Sequence, residues 1–163
     1  MSSLQTQNDN EQSPSLWKPV DAPNDEDGEK ALSKVNVVKN DGTEISFQHV
    51  NGRKVTNDHI KDVLNNDKIN VINLYRCQNI TDEALKDVPQ KCPNVEEFNI
   101  VYCIKLTKSL IIELIKKFTN ICKLSSGSDN GKQDIDDDTL IAISKSCPNL
   151  NYLYILDGGQ KTT

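Results

Sequence analysis

Residues 69–85 read INVINLYRCQNITDEAL, and residues 95–111 repeat the pattern as VEEFNIVYCIKLTKSLI. Apolar residues recur at matching places, and Cys103 follows Cys77 by 26 residues. Repeats of about 20–50 residues are typical of arrays in which each unit buries its apolar face on its neighbours. Because such an array presents a surface rather than a pocket, the pattern favours binding over catalysis.

Each copy reads as a strand, a turn and a helix. Apolar residues at the first, fourth and sixth positions alternate as in a strand, a small residue stands at the ninth, and a helix follows. The interior positions are Ile69, Ile72, Leu74, Cys77, Ile80, Leu85, Val88 and Cys92 in the second copy, Val95, Phe98, Ile100, Cys103, Leu106, Ile111, Leu114 and Phe118 in the third, Ile121, Leu124, Ser126, Asp129, Ile135, Leu140, Ile143 and Cys147 in the fourth, and Leu150, Leu153 and Ile155 in the fifth. The fourth copy is three residues longer, within residues 128–134.

The first copy is weaker and is preceded by a hairpin signal. Its residues align with the second copy at an offset of 25; they are Phe47, His49, Gly52, Val55, Ile60 and Val63. An Asn-Asp-Gly turn at residues 40–42 separates two apolar segments, as in β-hairpins. We therefore predict that residues 35–39 lie antiparallel to the first repeat strand and cap the edge of the sheet.

A Thr or Asp precedes each predicted helix, at Thr56, Thr81, Thr107 and residues 136–139. Their side-chain oxygens can accept hydrogen bonds from the free N–H groups of a first helical turn. The alternation of strand and helix predicts an α/β fold: a short solenoid of about four to five repeats over residues 44–163, with parallel strands on the concave side and helices on the convex side. We expect residues 32–43 to form the capping hairpin strand and turn.

Residues 1–31 are polar, and we predict a disordered acidic tail. Residues 1–30 hold seven acidic and two basic side chains, so their charge of −5 equals that of the whole chain and the rest is neutral. Trp17, the only tryptophan, belongs to a short docking motif, packs loosely on the body, or has no role. The charge gives no reason to expect nucleic-acid or membrane binding. With no apolar run of about 18 residues, we expect a soluble protein, cytoplasmic or nuclear.

Three segments resemble the cysteine-containing class of leucine-rich repeat. They are CQNITDEAL at residues 77–85, CPNVEEFNIVYC at residues 92–103 and SKSCPNLNYL at residues 144–153. The resemblance covers about residues 44–156 and is typical of F-box proteins and of the antagonist-of-mitotic-exit family. In those proteins the repeats hold the substrate of an SCF-type ubiquitin ligase, and an F-box binds the adaptor subunit. Residues 1–43 show no recognisable F-box pattern.

The resemblance implies a non-enzymatic protein-binding module in ubiquitin-dependent protein degradation, with ligase subunits or a substrate as partner. A family of short mitochondrial assembly factors carries similar repeats without an F-box. The alternative is therefore a structural assembly factor that uses the same repeat surface.

The concave face is the expected partner-binding surface, because alternate strand residues and those that follow them point outward. Tyrosine and arginine are favoured at the centres of interfaces. The candidate residues are Asn73, Tyr75, Arg76, Asn99, Val101, Tyr102, Tyr152, Tyr154 and Leu156.

Catalytic, metal and cofactor sites are not expected. Four of the five cysteines repeat in phase with the apolar pattern, so we interpret them as small buried residues. His49 and His59 are the only histidines, and no serine or cysteine has a recognisable nucleophile context.

Overall fold

A computed structural model of the chain describes residues 38–39, 42–47, 52–64, 66–128 and 135–156. The strands are β1 (Val38–Lys39), β2 (Glu44–Ser46), β3 (Val71–Asn73), β4 (Glu97–Asn99), β5 (Lys123–Gly127) and β6 (Tyr152–Leu156). The helices are a 3₁₀ turn (Gly52–Lys54), α1 (Asn57–Val63), α2 (Asp82–Leu85), α3 (Val88–Lys91), α4 (Lys108–Lys117) and α5 (Asp137–Ser146). None of these helices has the length and apolar character needed to cross a bilayer. The predicted tail, residues 1–31, lies outside the described residues.

The six strands form one sheet whose order follows the chain. Strands β2 to β6 are parallel, and each pairs with the next one along the sequence. Strand β1 pairs antiparallel with β2, with Val38 opposite Ile45. An antiparallel edge strand is thus present at residues 38–39, while residues 35–37 lie outside the described part.

The first copy differs from the predicted alignment. Ile45 pairs with Ile72, so the first strand lies 27 residues before the second, and Phe47 takes the place of Leu74 rather than that of Ile72. The first two helices keep the predicted offset of 25 residues, since Thr56 immediately precedes α1 and Thr81 immediately precedes α2. The first connection is thus two residues longer than the next. His49 and Asp129, which the sequence places in the interior, lie outside the described residues.

One apolar core lies between the sheet and the helices. It includes Ile72, Leu74 and Ile100, all fully buried, together with four of the cysteines. In the fourth copy the place of Leu74 and Ile100 is held by Ser126, which is also buried. Its hydroxyl has no hydrogen-bond partner among the described residues, which is uncommon for a buried polar group.

The starts of the helices are tied to one another across successive copies. The side chain of Asn57 accepts a hydrogen bond from Thr81 N at 2.9 Å, and that of Asp82 accepts one from Thr107 N at 2.9 Å. Thr107 Oγ1 in turn accepts from Leu110 N. The polar residues at the helix starts therefore join neighbouring units as well as capping helices.

Two residues predicted to lie in the interior are exposed. Leu140 on α5 is 38% exposed and Leu153 on β6 is 39% exposed, whereas their counterparts Ile111 and Leu124 are buried. Helix α5 and strand β6 are the last described elements. Within the described residues no further unit packs against them, so these side chains stay partly in contact with solvent.

Candidate protein-binding surface

The loops that follow β3 and β4 share an unusual backbone conformation. Arg76 and Tyr102 hold equivalent places, and their φ angles are 62° and 61°, in the left-handed region. Non-glycine residues rarely adopt this region, and it costs about 1–3 kcal/mol in each case. Two large side chains are therefore kept where glycine would be the least strained residue.

These two residues and Tyr75 form a compact group at the surface, here called the tyrosine–arginine cluster. The rings of Tyr75 and Tyr102 meet edge to face, with centroids 5.8 Å apart and an interplanar angle of 77°. The guanidinium carbon of Arg76 lies 5.2 Å from the Tyr75 centroid and 5.5 Å from the Tyr102 centroid. Both distances are within the range of attraction between a cation and an aromatic ring.

The guanidinium of Arg76 packs on the two tyrosine rings at the surface of the molecule. Arg76 is exposed, and the two tyrosines are half-buried. Among the described residues, no carboxylate forms an ion pair with this guanidinium. A planar guanidinium packed on aromatic rings keeps N–H groups at its edge, and these suit a carboxylate.

The sequence predicted that Asn73 and Asn99 face solvent, but both side chains are buried. Each is 2% exposed. The side-chain oxygen of Asn73 accepts a hydrogen bond from Tyr75 N at 3.1 Å, and that of Asn99 accepts one from Val101 N at 3.0 Å. The two asparagines therefore end their strands by bonding the backbone two residues on, and they leave the candidate surface.

Val101 is likewise buried, at 3% exposure, against the prediction. Its carbonyl accepts a hydrogen bond from Arg76 N, and its N–H donates to the Asn99 side chain. The first bond joins the loop after β4 to the loop after β3, and the second shapes the loop after β4. Val101 thus supports the cluster through its backbone and is not part of the exposed surface.

Tyr152, Tyr154 and Leu156 remain accessible on β6. Tyr154 is 43% exposed, and the other two are half-buried. Strand β6 lies two strands from β4, or about 10 Å at the usual spacing. The structure thus joins Tyr75, Arg76 and Tyr102 in one group and leaves the β6 residues as a separate part of the same sheet.

Ile141 on α5 is an exposed apolar residue that the sequence did not single out. It is 49% exposed and lies next to the exposed Leu140. Its counterpart on α4, Ile112, is half-buried. The repeat pattern places Ile112 and Ile141 outside the interior positions. An exposed apolar residue is common on protein surfaces, so its residue type alone does not indicate a binding site.

The cysteines are placed as structural residues. Cys77, Cys92, Cys103 and Cys147 are buried, and Cys122 is partly exposed. Burial raises the pKa of the Cys77 and Cys103 thiols, which keeps them protonated, and the Cys103 thiol donates to the carbonyl of Leu74 at 3.0 Å. In the part of the chain that the structure describes, no three metal-ligating side chains come together.

His59 has a local partner at the start of α1. Its Nδ1 accepts a hydrogen bond from Thr56 N at 3.2 Å and lies 2.7 Å from Thr56 Oγ1. The side chain thus helps to cap the first helical turn.

The architecture is that of an α/β protein with five parallel strands and helices between them, and comparison with known proteins agrees with this class. No protein-family model matches the chain. A solved structure of the Rad7 and Elc1 complex in yeast contains a similar chain, with a TM-score of 0.51 and 16% sequence identity. The match covers 69% of this chain and 29% of that one, so this chain spans less than a third of its neighbour's length. At this identity the likeness concerns the fold.

Proposed function

We propose that this chain is a leucine-rich-repeat solenoid that works as a non-enzymatic protein-binding module. The solenoid is supported by strands that pair in chain order and by an interior that repeats about every 26 residues. A fold of this kind offers one extended face to a partner, and its units stabilise one another through neighbour contacts.

The tyrosine–arginine cluster is the observation that carries the binding role. Tyrosine and arginine are enriched among the residues that dominate interface energies. Arg76 and Tyr102 also adopt a strained backbone conformation that glycine would relieve. Strain retained at accessible, preorganised side chains is typical of a functional surface, and it supports this cluster as the centre of the interface.

We further propose that the partner belongs to ubiquitin-dependent protein degradation, as a substrate or a subunit of an SCF-type ligase. This part rests on the resemblance of residues 77–85, 92–103 and 144–153 to the repeats of F-box proteins. The similar chain in the Rad7 and Elc1 complex supports an assembly role in a more general way, because that structure is of a complex.

Affinity capture with quantitative mass spectrometry tests the proposal. The full-length chain should retain cullin-ligase subunits or their substrates, and the double variant Tyr75→Ala with Tyr154→Ala should retain at least about tenfold less, as expected for interface tyrosines. Lys116→Ala, an exposed change on α4, is the matched control and should bind like the wild type. Equal binding by the double variant would reject the concave face, and recovery of respiratory-complex subunits would favour the assembly-factor alternative.

A further inference from the structure

The side of a helix that faces the next unit can be read from α4. Lys108 Nζ lies 2.6 Å from the Asp136 carboxylate, beside the start of α5. Ile111 and Ile115 follow Lys108 by three and seven residues, so they lie on the same side of the helix, and both are buried. The stripe of Lys108, Ile111 and Ile115 therefore faces α5.

The equivalent side of α5 is open to solvent. Helix α5 begins 29 residues after α4, so the counterparts of the stripe are Asp137, Leu140 and Ser144. All three are exposed, and so is Leu153 on β6. Within the described residues no further unit follows α5 and β6. We call this side of α5, together with strand β6, the open end.

Strand β6 also has a free backbone edge. Among the described strands it pairs with β5 alone. Tyr152 N donates to the Cys122 carbonyl at 3.1 Å, so the backbone groups of Tyr152 face β5. Because these groups alternate in direction along a strand, those of Leu153 and Ile155 face the free side. Unpaired backbone groups of this kind are a template for another strand.

The free edge is complementary to a second copy of itself. A two-fold axis at Tyr154 pairs β6 antiparallel with β6 of the second copy and sets Leu153 opposite Ile155. Since both of these residues present their N–H and C=O groups to the edge, each such pair can exchange both of its hydrogen bonds. The five residues of β6 are all apolar or aromatic, so the pairing brings no charge to its centre.

The charges of α5 suit the same two-fold arrangement. The axis sets the two α5 helices antiparallel, so the start of one lies near the end of the other. Asp137 stands at the start of the open stripe, and Lys145 follows Ser144 at its other end. Neither charged side chain forms an ion pair within the described part of the chain. Opposite charges therefore meet at both ends of the helix pair, which favours this orientation.

We propose that the open end binds the open end of a second copy, in a dimer formed by an antiparallel β6–β6 pair and the two α5 helices. The occupant is a second copy because the backbone edge and the charges are both self-complementary about one axis. A two-fold contact of this kind closes on itself and stops at the dimer. The tyrosine–arginine cluster lies on the loops after β3 and β4, so the dimer does not rest on the proposed function.

Sedimentation equilibrium of the full-length chain tests the dimer. The contact is small, so we expect a dissociation constant of about 1–100 µM. The average mass should rise with concentration from that of one chain to that of two, and no further. The mass of one chain at every concentration up to about 1 mM would overturn the proposal and leave the edge to a strand of another protein. Growth beyond the dimer would overturn it too, because the contact would not be a closed two-fold one.

Leu153→Lys tests the strand edge. Lysine on an edge strand opposes pairing, so this variant should dimerise at least about tenfold more weakly than the wild type. Its melting temperature at low concentration checks that it folds. Tyr75→Ala, which changes the tyrosine–arginine cluster, is the control and should dimerise like the wild type. Unchanged dimerisation of folded Leu153→Lys would contradict the edge pairing.

A charge exchange tests the helix contact. Lys145→Glu and Asp137→Lys each place like charges together and should weaken the dimer by about threefold or more, and both changes in one chain should restore it. Lys116→Glu, the equivalent change on α4, is the matched control and should have no effect. A combined variant as weak as the single ones would contradict the antiparallel helices.

A cross-link tests the register. About the axis the two Tyr154 residues are a non-hydrogen-bonded pair with Cα atoms about 4.5 Å apart, a distance that a disulfide can span. In a Cys122→Ser background, which removes the one partly exposed thiol, oxidised Tyr154→Cys should form a covalent dimer. Tyr152→Cys is the control and should not, because its two copies lie about 13 Å or more apart. Equal cross-linking of the two variants, or none of Tyr154→Cys, would contradict the register.

Discussion

Single residues show how the repeat tolerates exceptions. Leu74 and Ile100 fill equivalent places in the core, and Ser126 fills the next. The serine hydroxyl is buried without a hydrogen-bond partner among the described residues, which costs about 1–3 kcal/mol. We therefore expect this position to stabilise the fourth copy less than the leucine and isoleucine stabilise theirs.

A charge at Leu74 should unfold the protein. Leu74 is fully buried in the core, so Leu74→Asp should lower the free energy of unfolding by at least about 4 kcal/mol. Thermal unfolding followed by circular dichroism measures the loss. Leu153→Asp is the matched control, because Leu153 is 39% exposed, and it should cost much less. Equal melting temperatures of Leu74→Asp and the wild type would refute the register.

The charge of Asp136 should make stability depend on pH. A hydrogen bond from Lys108, at 2.6 Å, and bonds from Thr139 lower the pKa of Asp136 from 3.8 to about 2. Because the folded state favours the ionised carboxylate, its contribution is present above about pH 4 and is lost as the pH falls towards 2.

Asp136→Asn isolates that contribution, since asparagine can still cap α5. In urea unfolding, the wild type should be more stable than the variant at neutral pH, and the difference should shrink between about pH 4 and pH 2. A difference that stays constant over this range would show that the carboxylate charge does not contribute.

At the scale of elements, β5 and β6 are held together by a close backbone approach. Gly127 has a φ angle of 115°, and a Cβ placed there would lie 2.1 Å from the Leu156 carbonyl oxygen. Only glycine allows β6 to pair along the whole of β5.

Gly127→Ala should therefore separate the end of β6 from β5 and destabilise the protein by about 2 kcal/mol or more. Chemical denaturation measures the change, and amide exchange over residues 152–156 locates it. Gly42→Ala is the control: its φ angle of 92° is also positive, but the nearest atom lies 3.6 Å away, so only the conformational cost of about 1 kcal/mol remains. Equal losses in the two variants would show that the close approach to Leu156 is unimportant.

Most elements could be predicted from the sequence because the apolar pattern and the helix caps recur in phase. The offset of the first copy could not, because the connection from β2 to α1 is two residues longer than the next and has apolar residues of its own, Val50 and Val55. Burial of Asn73 and Asn99 depends on side-chain bonds to the nearby backbone, which an alternation of outward positions does not reveal. Exposure of Leu140 depends on which elements pack on α5 and not on its residue type.

At the scale of the whole molecule, the fold gathers residues from separate units into one surface. Tyr75 and Arg76 come from one unit and Tyr102 from the next, so the cluster exists only when the units stack in register. Its members could be named from the sequence, but their mutual contacts and their left-handed backbone could not. The proposed binding role therefore depends directly on the repeat geometry.

Amide hydrogen exchange of the full-length chain, with and without a captured partner, shows whether a partner binds at the tyrosine–arginine cluster. A partner that binds at the tyrosine–arginine cluster should slow exchange over residues 74–78 and 100–105 and leave α4, residues 108–117, unchanged. Protection confined to α4 and α5, with no change in the two loops, would show that the partner binds the helices and not the cluster.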